Sequence, residues 1–193
     1  MSFTDVMRIG TGSGSDAQRI FQEILLAKTD PHVLEMGTLR WEADFPTHHR
    51  DWAPHAAAYV MTDIGEGQDV DVVADAHTLS RDLSNETFDA IIAVSVWEHL
   101  MRPWVAAQEL AKSLQSDGIA FICTHQTFPL HGYPHDYFRF SAEALALIFE
   151  DAGLTTLGVG YDYPCSIVPP PQVTRWNPNA DCFLNVAWAG VKK

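Results

Sequence analysis

The chain has 193 residues, of which 47% are hydrophobic and 19% charged, and its formal net charge is −13 with the histidines neutral. This size and balance predict one folded domain, spanning residues 1–193, and exclude a disordered chain. The acidic charge, without a cluster of Lys or Arg, argues against nucleic acid or an anionic membrane as a partner. No apolar run is long enough to cross a membrane, and no apolar signal segment opens the chain, so we expect a cytoplasmic protein.

The first predicted helix runs from about Asp16 to Lys28. Ser15 and Gln18 have the spacing of a capping box, and an apolar stripe at helical spacing follows them. Residues 1–14 are predicted to be a flexible lead-in. Their alternating glycines resemble a dinucleotide loop, but residues 3–9 make a poor buried strand, and a mobile flap over the active site is the other interpretation.

Seven apolar runs then predict strands, at residues 32–36, 59–62, 70–74, 88–96, 119–123, 154–159 and 182–191. Two helices are expected among them, one with Pro103 near its start and one capped by Ser141. Strands that alternate with helices predict a doubly wound, mostly parallel sheet with helices on both faces. Only a Pro-rich loop, residues 161–178, separates the last two strands, which favours an antiparallel final strand.

Polar residues or a glycine stand where the predicted strands end: Glu35 and Gly37, Asp63, Asp75, Ser95 and His125. In sheets of this kind the ligand binds at the carboxyl ends of the strands, near the switch in strand order. A carboxylate there can accept both hydroxyls of a ribose, and a bare glycine lets a ligand approach the backbone. The pattern therefore favours a nucleoside ligand.

These strand ends, in their order along the chain, resemble the class I S-adenosylmethionine-dependent methyltransferases over roughly residues 33–153. The resemblance rests on Val33-Leu34-Glu35-Met36-Gly37, Thr62-Asp63, Ala74-Asp75-Ala76, Phe88-Asp89-Ala90-Ile91-Ile92 and Glu98-His99-Leu100. A further run is similar to a segment that follows the fifth strand in a subset of small bacterial members: His131-Gly132-Tyr133-Pro134-His135-Asp136-Tyr137-Phe138-Arg139-Phe140-Ser141. The resemblance implies a Rossmann-like seven-stranded sheet and S-adenosylmethionine as the cofactor.

The resemblance also implies the positions of the cofactor contacts. Glu35 and Gly37 match the loop after the first strand. Asp63 matches the acidic residue that takes the ribose hydroxyls, and Asp75 and Ala76 match the pair beside the adenine. One departure stands out, because the family's first loop has two or three alternating glycines, whereas here Gly37 is followed by Thr38-Leu39-Arg40-Trp41.

Ser95 matches the position where the fourth strand meets the methionine end of the cofactor and the acceptor. Methyl transfer needs donor and acceptor held in line, and a hydroxyl or protonated amine also needs a base. Histidine suits that role near neutral pH, and His125, His131 and His135 are the candidate catalytic residues. The alternative for His125 is a structural hydrogen bond to a loop, and the Asp136–Arg139 pair is expected to pin the loop around the other two.

The remaining histidines raise the question of a metal. His48 and His49 are adjacent, so at most one of them should reach the pocket. Histidines of both loops could bind iron or zinc together with a carboxylate, but no tight ligand motif such as H-E-x-x-H is present, and no metal site is predicted. His99, after Glu98, is expected to brace the start of a helix.

The predicted function is an S-adenosylmethionine-dependent methyltransferase that acts on an oxygen or nitrogen atom of a small-molecule acceptor. The alternatives are a catalytically inactive binding subunit of the same fold and an NAD(P)-dependent oxidoreductase. The oxidoreductase requires a G-x-G-x-x-G loop after the first strand, which residues 37–40 do not provide. The aromatic Pro-rich loop could cover the acceptor, protect a sheet edge or form the contact of a homodimer.

Overall fold

In the computed structural model, which describes residues 12–132, 134–173, 175, 177 and 180–193, eight strands join into one sheet. The strands are β1 (Gly12–Ser13), β2 (His32–Met36), β3 (Ala58–Asp63), β4 (Val72–Val73), β5 (Phe88–Val94), β6 (Leu114–His125), β7 (Leu154–Cys165) and β8 (Cys182–Lys192). The α-helices are α1 (Gly14–Ala27), α2 (Leu79–Asp82), α3 (Pro103–Ser113) and α4 (Ala142–Asp151). None of the described helices has the length and apolar character that crossing a bilayer requires.

The strand order is β1-β7-β8-β6-β5-β2-β3-β4. Strand β8 pairs antiparallel with both β6 and β7, and the other pairings are parallel. Strands β2–β8 are the seven predicted strands, so the Rossmann-like sheet and its antiparallel final strand are confirmed. The short β1 adds to the edge beside β7.

The start of α1 differs from the prediction. Ser13 rather than Ser15 is the N-cap, because its Oγ accepts a hydrogen bond from the backbone N–H of Ser15 at 3.1 Å. The hydroxyls of Ser13 and Ser15 both donate to Asp162 Oδ1 on β7, at 2.9 and 3.0 Å. This long-range anchor outcompetes the predicted capping box and starts the helix at Gly14. The predicted lead-in falls mostly on residues 1–11, which lie outside the described residues.

Helices cover both faces of the sheet. On one face α2, α3 and α4 bury a large core in which Trp97, Phe149 and Trp188 pack ring against ring. On the other face α1 packs on the strands through Phe21. Residues 37–57, all of which are described, contain no α-helix, only a 3-10 turn at Arg50–Trp52. Trp52 completes the second face, with its ring centroid 5.5 Å from that of Phe121.

The Pro-rich loop is shorter than predicted. Strand β7 continues to Cys165, which pairs with Cys182 of β8, so residues 161–165 are strand. Pro164 is tolerated there because β1 ends opposite Tyr161, and beyond that point β7 pairs on one side only among the described residues. Trp176 and Pro178 of the predicted loop lie outside the described residues.

Candidate functional site

The predicted site residues gather at the carboxyl edge of the parallel strands, in two groups. We call residues 35–49 and 62–77, which follow β2, β3 and β4, the first half-site. Residues 95–99, 124–132 and 134–139, at and after the ends of β5 and β6, form the second half-site. The two groups meet where Gly37 lies beside Val96.

Gly37 turns the chain at the end of β2 and has to be glycine for two reasons. Its φ is +80°, in the left-handed region that side chains disfavour. A Cβ there would lie 2.4 Å from Val96 Cγ2, well inside contact distance. The backbone N–H of Gly37 donates to the carbonyl of Thr62 at 2.8 Å, which fixes the turn against β3.

The three residues after Gly37, where the family has further glycines, pack against the loop at residues 67–69. Thr38 is fully buried, and its hydroxyl donates to the carbonyl of Asp69 at 2.6 Å. Arg40 Nε donates to Asp69 Oδ2 at 2.6 Å, and both side chains are largely buried. The Leu39 side chain packs where a Cβ on Gly67 would lie 2.5 Å from its Cδ1. Gly67 therefore leaves room for the Leu39 side chain, and the two loops are closed onto each other.

Asp63 is held in place by two backbone donors. Leu39 N–H donates to Oδ2 at 3.1 Å and Gly65 N–H donates to Oδ1 at 3.0 Å. The residue is half-buried at the end of β3. A carboxylate offers about four lone-pair positions, so one on each oxygen is left for a ligand.

Glu35 is buried and serves as an anchor for the segment that follows the first loop. Tyr59 Oη donates to Glu35 Oε2 at 2.5 Å, and the His49 N–H donates to the same oxygen at 2.9 Å. His49 Nδ1 lies 2.7 Å from Glu35 Oε1, and its ring packs on Trp52. Burial, together with the Glu35 carboxylate, raises the pKa of Tyr59. Of the adjacent histidines, His49 is the one that Glu35 binds.

Asp75 caps the 3-10 turn Ala76–Thr78 through a partner that the sequence analysis missed. Asp75 Oδ1 accepts from the His77 backbone N–H at 2.8 Å and lies 2.7 Å from His77 Nδ1. Burial opposes ionisation, but these two hydrogen bonds outweigh it and lower the pKa of Asp75. His77 Nε2 accepts from the backbone N–H of Arg102 at 3.2 Å, which matches a neutral ring protonated on Nδ1. Ala76 is buried beneath the turn.

The second half-site is organised around Glu98, a fully buried carboxylate that was not among the predicted site residues. Thr124 Oγ1 donates to Glu98 Oε2 at 2.7 Å, and His125 Nε2 lies 3.0 Å from Glu98 Oε1. Burial alone would raise the pKa of Glu98, but the hydrogen bonds from His125 and Thr124 lower it overall. The sequence did contain a feature that could have identified Glu98, because Glu98-His99-Leu100 is one of the segments that resemble the family.

His125 is fixed through both ring nitrogens. Its Nδ1 lies 3.1 Å from Asn185 Oδ1, so both partners of the ring are acceptors and the arrangement suits an imidazolium. Burial alone would lower the pKa of His125, but the Glu98 carboxylate outweighs it and the pKa is raised. The ring also stacks on Phe128, with 4.1 Å between the ring centroids. Both ring nitrogens therefore face a partner within the protein.

His131 joins this cluster and His135 does not. The His131 ring lies 4.9 Å from that of His99 and 5.3 Å from that of His125, between centroids. His135 is exposed, and its backbone carbonyl accepts from His99 Nδ1. Ser95 is exposed at the end of β5, with a φ of +56° and its N–H donated to the carbonyl of Cys123.

The expected Asp136–Arg139 pair pins the loop after β6. Arg139 Nη2 donates to Asp136 Oδ2 at 2.8 Å and to the carbonyl of Pro129 at 3.0 Å. The guanidinium holds the pKa of Asp136 well below its usual range. An open cleft lies along this loop, lined by Phe128, Leu130, Asp136, Tyr137, Phe138 and Arg139.

Comparison with known proteins supports the fold. A family model described as "Methyltransferase domain" matches residues 48–122. No curated protein matches the chain. The described fold is similar to that of an S-adenosylmethionine-dependent methyltransferase from Archaeoglobus fulgidus, at 16% identity and a TM-score of 0.63 over 99% of this chain and 100% of that one.

Two further solved structures are similar at comparable levels. One is the 1,6-didemethyltoxoflavin-N1-methyltransferase of Burkholderia thailandensis, solved with its substrate and S-adenosylhomocysteine, at 14% identity and a TM-score of 0.62 over 93% of this chain and 78% of that one. The other is the N-methyltransferase NodS of Bradyrhizobium japonicum in complex with S-adenosylhomocysteine, at 14% identity and a TM-score of 0.55 over 98% and 97%. At these identities the likeness establishes the fold.

Proposed function

We propose that the chain is a class I S-adenosylmethionine-dependent methyltransferase, which binds S-adenosylmethionine and transfers the methyl group to an oxygen or nitrogen atom of a small-molecule acceptor. The fold, which is similar to that of solved methyltransferases, and the methyltransferase-domain model that matches residues 48–122 support this proposal. The observation that carries the proposal is the Asp63 carboxylate. Two backbone N–H groups orient it, and it retains a lone pair on each oxygen. That is the arrangement that two ribose hydroxyls need.

The topology supports the same location. Strand β2 lies between β3 and β5, so the order of the sheet reverses between β2 and β5. Ligands of open α/β sheets bind in the crevice outside the strand ends at this point. Gly37 ends β2 and Ser95 follows β5, so the two residues flank the crevice. We assign Gly37 to close approach of the cofactor and Ser95 to its methionine end.

The other first half-site residues divide into two roles. Asp75 and Ala76 end the third predicted strand, and we assign them to the adenine edge. Glu35 has its carboxylate oxygens bound to Tyr59 and His49, so we assign it as a positioning residue for the cofactor loop. Its substitution should therefore affect cofactor affinity through loop position.

The second half-site is the proposed place of the acceptor. Methyl transfer depends largely on holding donor and acceptor in line, and the ring-lined loop after β6 can supply that position. Of the three candidate histidines, His125 is buried beside Glu98, whereas His131 is half-buried and its backbone N–H donates to Asp136, which lines the cleft. We therefore propose that the acceptor lies beside His131 and that His125 is a positioning residue. The two N-methyltransferases among the similar structures support a small nitrogen acceptor.

A catalytically inactive binding subunit is the second candidate function, and one observation favours it. The closed contact between residues 38–40 and 65–69 already uses Leu39 N–H on Asp63, where the family has an open glycine loop. An inactive subunit of this fold would bind no cofactor, or would bind it without transferring methyl groups. Cofactor titration together with an assay of methyl transfer separates the two functions.

The test is isothermal titration of the purified chain with S-adenosylhomocysteine, for wild type, Asp63→Asn and Asp30→Asn. Asp30 is exposed at the opposite edge, before β2, with a φ of +45° that Asn tolerates, so it controls for the chemical change. We expect wild type and Asp30→Asn to bind alike and Asp63→Asn to lose at least about tenfold, or about 1.4 kcal/mol.

Two results would count against the proposal. A wild-type chain that is folded by circular dichroism and binds no S-adenosylhomocysteine at millimolar concentration has no cofactor site. Binding that Asp63→Asn leaves intact removes the ribose assignment. Binding without any transfer of labelled methyl to small nitrogen or oxygen acceptors would favour the inactive subunit.

A further inference from the structure

One oxygen of Glu98 and one ring nitrogen each of His99 and His131 lie within 4.8 Å of one another, in the second half-site. We propose that these three side chains bind a divalent transition-metal ion of the zinc class. This departs from the sequence-based expectation that the chain has no metal ligand. The site is independent of the cofactor proposal, because none of its ligands belongs to the first half-site.

The ligand set has the composition of a zinc site with one open position. Zn²⁺ binds histidine nitrogens and carboxylate oxygens, and catalytic sites use three protein ligands with a water or substrate in the fourth position. Imidazole ligands also exclude Ca²⁺ and Mg²⁺, which prefer oxygen. Glu98 is fully buried, and the side chains of His99 and His131 are 14% and 19% exposed. The ion would be shielded from bulk water yet reachable from it.

Backbone carbonyls orient both histidines as metal ligands are usually oriented. His99 Nδ1 lies 2.5 Å from the carbonyl of His135, and His131 Nδ1 lies 3.2 Å from that of Pro129. A carbonyl can only accept, so in each ring Nδ1 is the nitrogen that carries a proton toward the carbonyl. Metal-binding histidines almost always donate their other ring N–H to a carbonyl or carboxylate in this way. His99 Nε2 then lies 3.8 Å from Glu98 Oε1.

The charged groups around the cluster favour a cation, except that His125 already contacts the Glu98 carboxylate. Asp136 Oδ2 lies 3.7 Å from His131 Nδ1 and adds negative charge behind that ligand, while Arg139 neutralises part of it. His125 Nε2 lies 3.0 Å from the same Glu98 Oε1, so an ion bound to that oxygen would displace this contact.

The position of the cluster suggests its use. Glu98 and His99 lie in the 3-10 turn that follows β5, and Thr124 and His125 end β6, so the ion would lie at the carboxyl edge of the central strands. This is the half-site proposed for the acceptor. An open coordination position there suits an acceptor oxygen or nitrogen.

The test is a titration of the tag-free chain with ZnCl₂ by calorimetry, with metal content measured by mass spectrometry after dialysis. The variants are His99→Gln and His131→Gln, and the matched control is His32→Gln, because His32 is exposed at the amino-terminal start of β2. We expect wild type and the control to bind one Zn²⁺ per chain. Each ligand variant should bind at least about tenfold more weakly, since even outer partners of metal ligands contribute that much.

The proposal is overturned if the folded wild-type chain binds no Zn²⁺, or if both ligand variants bind it like wild type. Circular dichroism checks that the variants are folded, and the visible spectrum of Co²⁺ in place of Zn²⁺ reports nitrogen and oxygen ligation independently. Titration of the same samples with S-adenosylhomocysteine separates the two proposals. A chain that binds the nucleoside and not the metal refutes the metal site alone.

Discussion

The two half-sites hold their carboxylates by different means. In the first, backbone N–H groups from residues next to each other in space orient Asp63, and its oxygens keep lone pairs for a ligand. In the second, side chains bind side chains, and Glu98 is enclosed by Thr124, His125 and His99. A carboxylate fixed by backbone can bind a neutral hydroxyl, whereas a buried carboxylate ringed by imidazoles is suited to hold a positive charge.

The largest effect should come from breaking the buried ion pair of the second half-site. His125→Ala leaves Glu98 charged, fully buried and without its cation, which costs about 3–5 kcal/mol of the free energy of unfolding. Urea denaturation at neutral pH measures the loss. The exposed control His32→Ala should change stability by less than about 0.5 kcal/mol.

Adding Glu98→Gln to His125→Ala should recover part of the loss, because it removes the unpaired charge. If His125→Ala costs no more than the exposed control, the second half-site is not held together by charge. The contrast with the first half-site would then fail.

The next largest loss of stability should come from substitution in the turn at Gly37, in the first half-site. Gly37→Ala places a side chain at a φ of +80°, which costs about 1–2 kcal/mol, and drives its Cβ against Val96. Gly153→Ala is the control, since Gly153 has a φ of +90° with nothing within 4 Å of the added Cβ. Gly37→Ala should therefore cost more than Gly153→Ala.

Val96→Ala in the Gly37→Ala background separates the two causes. It removes the clash and leaves the backbone cost, so the combined variant should approach Gly153→Ala once the cost of Val96→Ala itself is subtracted. If Gly37→Ala and Gly153→Ala lower the free energy of unfolding equally, the close approach of β2 and β5 at Gly37 is contradicted.

A smaller loss of stability is expected where the loops at residues 38–40 and 65–69 contact each other. Arg40→Ala removes the pair with Asp69, whose side chains are 17% and 15% exposed, and should cost up to about 1 kcal/mol. The Leu39 amide, which donates to Asp63, should also exchange its hydrogen faster. Arg19→Ala, which removes an exposed helical pair with Glu23, should cost less stability than Arg40→Ala and leave that amide unchanged.

The smallest expected effect is a pH dependence of the protein's stability that comes from the second half-site. Because the folded pKa of His125 is raised, its stabilisation is complete below the unfolded pKa of about 6.5 and is lost as pH rises through the folded value. The lowered pKa of Glu98 acts at the other end, so its contribution is lost as pH falls through the folded value of the carboxyl. A plot of Tm against pH should fall on the alkaline side in wild type, and His125→Gln should flatten that side.

The sheet was predictable because its signals are local. Each buried strand is a short apolar run, and the chain marks its end with a glycine or a polar residue, as at Gly37 and Asp63. Parallel strands bring these ends to one edge, so the first half-site followed from the strand pattern together with the family resemblance.

The remaining features depend on pairs that are distant in the sequence. The cap at Ser13 is decided by Asp162, and the state of His125 is decided by Glu98 and Asn185. The loop after Gly37 contains Leu39, and Gly67, in a separate loop, makes room for the Leu39 side chain. No local pattern carries this information, because each residue alone has several equally good partners.

Strand β8 has a consequence for how the chain folds during synthesis. It lies between β6 and β7 but is translated after both, and its register ties Ile119 to Val191 on one side and Leu154 to Lys192 on the other. Until these residues leave the ribosome, β7 has no place in the sheet and β6 presents an open edge, which is a template for incorrect pairing. Closure of the sheet must therefore be a late, long-range event, and chaperone access to the open edge of β6 should govern the yield of folded protein.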